Sequence, residues 1–195
     1  MKKSRSGFTL VEISIVIIII AILAGITVVS YKSIQARSRD AKRQTDVANI
    51  IKAMELYYSD TGSYPAPTGP TSSPVNPSWY SSGDSSWDML SNLLTTANAS
   101  GSRAIDVLPK DPKNPANASP FVHKGYTYGI FVSQNATSGG YCGTSSKGQM
   151  YLIVYRLESS KQEFRSEGPC TTNPLGKDYY DSKGVSVYRN VKSGS

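Results

Sequence analysis

From Phe8 to Val29 the chain reads FTLVEISIVIIIIAILAGITVV, 22 residues with a single charge, Glu12. At about 1.5 Å per residue such a run forms a helix of about 33 Å, long enough to cross the hydrocarbon of a bilayer. It is apolar on every face, so it must lie in lipid or be surrounded by other apolar helices. Lys2, Lys3 and Arg5 precede it and the bulk of the chain follows. That asymmetry fits the positive-inside rule, with the C-terminal bulk translocated. A secretory signal peptide would be cut at small residues after the run; Ala24 offers such a site, but Ile22, two residues earlier, is bulky. A plain anchor accounts for length and flanks yet leaves Glu12 without a reason. A carboxylate at mid-span costs about 2.5–3.5 kcal/mol on insertion scales.

A third reading accounts for these details together. SRSGFTLVE resembles the processing motif of type IV prepilins and type II secretion pseudopilins: a basic leader ending in glycine, then Phe, then a glutamate four residues on. The resemblance implies cleavage between Gly7 and Phe8 by a prepilin peptidase, on the cytoplasmic side, and N-methylation of the new Phe8 amine. It also implies an assembly role for Glu12. When apolar helices replace lipid by packing on one another the carboxylate is buried, and a buried charge needs a partner. The Phe8 amine of a neighbouring subunit is the partner the resemblance implies, and such a pair also fixes the axial step between subunits. The family's other partners follow: an inner-membrane assembly platform, minor pilins, and further copies of the chain in a helical filament. The protein is then expected to be a single-pass membrane protein before assembly and a periplasmic or extracellular filament afterwards.

Residues 31–58 contain neither Gly nor Pro, so the helix is expected to continue beyond the membrane. Ile34, Ala41 and Ala48 recur every seven residues, and Val47, Ile50, Ile51, Met54 and Tyr58 mark one face. Lys32, Arg37, Arg39, Lys42 and Arg43, interleaved with Asp40 and Asp46, read as a solvated opposite face. Asp60-Thr61-Gly62, with Pro65 close behind, should end the helix. AKRQTDVANIIKAMELYYSDTGSYP is similar to the second half of the spine helix in major pseudopilins and related Gram-positive and competence pilins. VLPKDPKNP and SEGPC resemble their proline-bounded turn before the sheet and the turn before their last loop. Two features depart from the family: Val29 stands near where many relatives have a helix-melting proline, leaving Gly25 as the weak point. In addition, GPCTTNPLGKDYYDS replaces an acidic calcium loop, and the surviving Asp178 and Asp181 match no oxygen-ligand spacing.

The fold class expected is α+β, a long spine helix packed on a small antiparallel sheet in a pilin-like lollipop. Its divisions are a leader (1–7), a membrane and assembly half of the spine (8–30), an amphipathic half (31–60) and a globular head (61–195). Residues 61–86 are rich in Pro, Ser and Gly and read as surface loop. Ser86 can cap a short helix through Asn98, with Trp87, Leu90, Leu93 and Leu94 on one face. Strands are expected at Tyr126–Val132, Met150–Leu157 and Val185–Tyr188, giving three or four antiparallel strands in which half-buried tyrosines sit well. Two cysteines in a translocated head, Cys142 and Cys170, point to a disulfide rather than a redox site. Cys170 falls where relatives begin the calcium loop, so a covalent staple stands in for the metal one.

Composition narrows the function. Without Lys2, Lys3 and Arg5, the 21 basic residues fall to 18 against 14 acidic, an excess of +4 that is no strong footprint of nucleic acid. The only histidine, His123, has no nucleophile motif beside it, and no glycine-rich phosphate loop or zinc spacing occurs. No catalytic residue, metal or cofactor is therefore expected. The triplets beginning at Asn98, Asn117 and Asn135 are too common in a Ser/Thr-rich chain to argue from. The chain reads as a structural subunit of a type IV pilus or a type II secretion-like pseudopilus, not an enzyme. The rival is a competence-type or adhesive pilin whose head binds DNA or a surface ligand.

Overall fold

A computed structural model describes residues 7, 9–67, 79–98, 101–122, 124–134, 141–170 and 177–192, apart from the side chains of 27–30 and 141. Helix α1 runs unbroken over Leu10–Thr61, 52 residues, through Gly25. It stops where the sequence predicts: Gly62 takes a left-handed φ of 75° and its N–H donates to the Tyr58 carbonyl at 2.8 Å, satisfying one of the orphan carbonyls of the last turn.

The head carries β1 (Trp79–Ser81), α2 (Ser86–Thr95), β2 (Gly129–Val132), β3 (Met150–Tyr155), β4 (Phe164–Glu167), α3 (Lys177–Lys183) and β5 (Ser186–Val191). The strands form one sheet in the order β1-β2-β3-β5-β4. Three pairings are antiparallel, but β4 pairs with β5 in parallel, Phe164 opposite Val187. The sheet is thus mixed and five-stranded rather than wholly antiparallel. Parallel neighbours need a crossover, and the segment carrying α3 supplies it.

Alternation along β3 sorts the core into two layers. Tyr151, Ile153 and Tyr155 face Val47, Ile50, Ala53 and Met54 of α1 together with Trp87, Leu90 and Leu94 of α2. Met150, Leu152 and Val154 face the other way, onto Trp79, Phe131, Val187, Cys142 and Tyr180 of α3. Period-two alternation puts neighbouring residues on opposite faces, so a strand buried throughout needs cover on both sides. The half-buried sheet expected from the tyrosines is therefore buried on both faces over β1, β2, β3 and β5, and only the edge strand β4 is exposed.

Other expectations shift for local reasons. The Pro/Ser-rich stretch is not all surface: Tyr64, Pro65 and Pro67 are buried, and Trp79-Tyr80-Ser81 forms an edge strand; residues 68–78 lie outside the described set. Helix α2 ends at Thr95 rather than Asn98. Ser86 sits inside it, accepting the Ser81 N–H at 2.8 Å, while Ser85 occupies the cap position. Leu93 is 40% exposed, off the buried face.

Candidate assembly site

The N-terminal end of α1 closes on itself. Thr9 is the N-cap, with extended backbone, and its Oγ1 accepts the Glu12 N–H at 3.3 Å. Glu12 reaches back: its Oε2 accepts the Thr9 N–H and the Thr9 hydroxyl, each at 2.7 Å. This reciprocal capping box satisfies two of the orphan donors that open any helix. It gives Glu12 a role within its own chain, which the plain-anchor reading lacks, and the T-x-x-E spacing of Thr9 and Glu12 carries it in the sequence. Gly7 is exposed just before the cap, and Phe8 lies outside the described residues.

Beyond the cap, Leu10, Val11, Ile15, Val16, the isoleucines at 17–20, Ile22, Leu23 and Ile26 are all at least half exposed. The helix is long and apolar enough to cross a membrane. An apolar surface on this scale marks a site for lipid or protein contact. Ser14, the other polar residue in the early turns, turns its hydroxyl inward to the Leu10 carbonyl at 2.9 Å.

Thirty residues on, the charged face takes a form that the sequence does not predict. Arg43 is completely buried, and Asp40 and Asp46 nearly so, instead of lining a solvated face. The Arg43 guanidinium grips Asp111 with Nε and Nη2 at 2.6 and 3.1 Å, while Nη1 donates to Asp40 and Glu158 at 2.9 and 2.8 Å. The Tyr126 ring lies 4.8 Å beneath it. Asp40 accepts the backbone N–H groups of Glu158, Ser159 and Ser160, and Glu158 takes further contacts from Arg39 and Lys113 at 2.7 and 2.6 Å. Three cations meet three carboxylates, so the cluster carries no uncompensated charge. Burial by itself raises the Glu158 carboxyl, but hydrogen bonds from Arg39, Lys113 and Arg43 outweigh it and bring the group down to about 2. Asp40 is likewise lowered, the three loop N–H groups and the Ser159 hydroxyl overcoming desolvation. Arg43 is raised despite burial because Asp111 and Glu158 hold its charge. Nothing local in the sequence joins Arg43 to Asp111, 68 positions away.

A second tie lies near the end of the spine, where Glu55 accepts from the Tyr64 hydroxyl at 2.7 Å and pairs with Lys192 at 2.7 Å. On the far side of the sheet Cys142 and Cys170 are joined in a disulfide, with Cα atoms 4.0 Å apart. Of the candidate metal residues, Asp181 pairs with Lys177 on α3, and residues 171–176 lie outside the described set. Among the described residues no group of three His, Cys, Asp or Glu side chains could hold a metal ion. His123 and Asn135 also lie outside them, while the Asn98 amide is engaged, donating to Asp60 at 2.7 Å.

A spine helix with a capped, motif-bearing apolar end and a small mixed sheet clamped to its other half defines a pilin-like α+β protein. Residues 2–28 match the prokaryotic N-terminal methylation motif. The curated relatives are type IV pilins and type II secretion pseudopilins. The chain is 41% identical over 66 residues to fimbrial protein EcpC of Eikenella corrodens, covering 34% of this chain and 43% of that one. It is 33% identical over 64 residues to type II secretion system core protein G of Aeromonas hydrophila, covering 33% and 45%. With type IV major pilin protein PilA of Myxococcus xanthus the identity is 36% over 58 residues, covering 30% and 26%. The matches thus span less than half the length of these relatives, and no solved structure matches.

Proposed function

We propose that the chain is a structural subunit of a type IV pilus or type II secretion-like pseudopilus, polymerising through α1 after cleavage between Gly7 and Phe8 and methylation of the Phe8 amine. The observation that carries this reading is the exposed apolar helix from Leu10 to Ile26, headed by the methylation motif. Inserted in a membrane, that surface is covered by lipid; in a filament, by the same helix of other copies. The division into leader, membrane half, amphipathic half and head follows from it, as do a prepilin peptidase and an assembly platform as partners. The rival role in DNA binding loses its best cations, since Arg39, Arg43 and Lys113 are committed to carboxylates inside the protein.

Glu12 should be needed for assembly and not for insertion. Glu12→Val makes the segment more apolar, so insertion is at least as favourable. In the filament the same change leaves a neighbour's Phe8 ammonium buried without its partner, at a cost of about 3–5 kcal/mol per contact. Sheared filaments should disappear while membrane-bound monomer persists on immunoblots. Mass spectrometry of the wild-type chain should give a mature N-terminus at methylated Phe8. A mature chain starting near Gly25 would overturn the reading, and normal filaments from Glu12→Val would remove the carboxylate from it.

A further inference from the structure

Two grooves flank the head-bound half of α1. One, about 450 Å³, lies between α1 and the loop 104–109; Lys52 and Leu56 floor it and Asp106 and Val107 rim it. Val107 is 76% exposed and Leu56 53%, two apolar side chains only partly covered in the monomer. The other, about 260 Å³, lies between α1 and the β4–β5 edge, where Ala48 and Ile51 face Glu163 and Arg165. At about 100° per residue, Leu56 and Ile51 point about 140° apart around the helix, so the grooves open on different flanks of the spine.

We propose that these flanks are the two halves of one contact between copies of this chain: the 104–109 loop of one subunit, with Val107 at its tip, seats in the Ala48–Ile51 groove of the next. The proposal rests on the filament reading above. Chemistry and symmetry select a second copy as the occupant. Each groove carries one exposed acid and one exposed base beside an apolar floor, Asp106 and Lys52 on one flank and Glu163 and Arg165 on the other. Joined flank to flank, Asp106 meets Arg165 and Lys52 meets Glu163, so both pairs match in sign. Within the chain Asp106 has only a loose contact with Arg103, at 4.0 Å and on the surface. A patch that fits a different patch on the next copy makes a head-to-tail contact, which propagates into a helical filament rather than closing into a dimer.

The test uses filaments sheared from cells making the full chain. Ala48→Cys and Val107→Cys are introduced singly and together, and filaments are treated with a short bis-maleimide, which spares the native disulfide. The double variant should give a ladder of covalent multimers, and each single variant monomer alone. Asp106→Arg and Arg165→Asp should each lower filament yield by about threefold, the scale of an exposed ion pair turned repulsive, and the double exchange should restore it. A missing ladder, a ladder from either single variant, or no rescue by the double exchange overturns the contact. Wild-type filaments that form without that contact leave the functional reading standing, whereas absence of any filament removes both.

Discussion

The Arg43 guanidinium forks onto Asp111 and shares its remaining nitrogen between Asp40 and Glu158, with Arg43, Asp111 and Asp40 buried and Glu158 at the margin of the cluster. An ionic cluster of this kind contributes little beyond apolar packing of the same shape, but removing one member leaves the others desolvated and unpaired. Arg43→Met should therefore cost about 3–5 kcal/mol, read as a lower melting temperature of the detergent-solubilised chain. Arg43→Lys keeps the charge and loses the planar fork, so it should fall between. A Met variant melting like wild type would show that the carboxylates find other partners. Acid attacks the same cluster from the opposite side. A carboxyl depressed by folding adds stability above its unfolded value and loses it as pH falls through its folded value. For Glu158 that window runs from 4.5 down to about 2. Melting temperature should drop across it, and Glu158→Gln should start lower at neutral pH but fall less steeply. An equal slope in that variant would place the titrating group elsewhere.

Between elements, the disulfide ties the turn before β3 to the segment leading into α3, beside the core layer formed by Trp79, Phe131 and Tyr180. Closing a loop with a sequence separation of 28 contributes about 3–4 kcal/mol in the chain-entropy account. Reduction should lower the melting temperature and loosen α3 first, seen as faster amide exchange over 177–183 than over β3. Unchanged melting on reduction would show that the outer layer holds without the bridge. The long helix, α2, β2, β3 and β5 were legible because each rests on a local pattern: no Gly or Pro over 31–58, an apolar face, a β-branched run. β4 was not, since Phe164-Arg165-Ser166-Glu167 is an exposed edge with one apolar residue and gains its identity only by pairing with β5. β1 was hidden for a different reason: Trp79-Tyr80-Ser81 is buried but only three residues long, set in a Pro/Ser-rich stretch, and is defined by its pairing with β2. At the N-terminus the motif was legible as a contiguous run, whereas the capping box between Thr9 and Glu12 came to light only in the structure. The Arg43 cluster was not, because burial of a charge depends on partners supplied from distant positions, here Asp111 and Glu158.

For the whole molecule the consequential boundary lies near Arg39, where the head first grips the spine. Tyr31 and Ile34 are exposed, whereas Asp40, Arg43, Val47 and Ile50 are buried against the head. A fragment of residues 32–195 keeps the clamp and the buried helix face, and loses the apolar surface of Leu10–Ile26. It should be a soluble, cooperatively melting monomer, because the surface that demands lipid or other copies is gone. A fragment of residues 45–195 keeps Val47, Ile50, Ala53 and Met54 but removes Arg39, Asp40 and Arg43 together. Asp111 then loses its guanidinium, Glu158 keeps only Lys113, and the loop N–H groups of 158–160 lose their acceptor. Stability should fall by at least about 3–5 kcal/mol, the cost of stranding one side of a buried ionic cluster. Light scattering and thermal melts of the two fragments decide it. Equal melting temperatures would mean that apolar packing over 47–54 holds the spine unaided and that the clamp serves only to set its direction. A 32–195 fragment that polymerises without its N-terminal helix would move the principal assembly surface from the apolar spine to the flanks of the head.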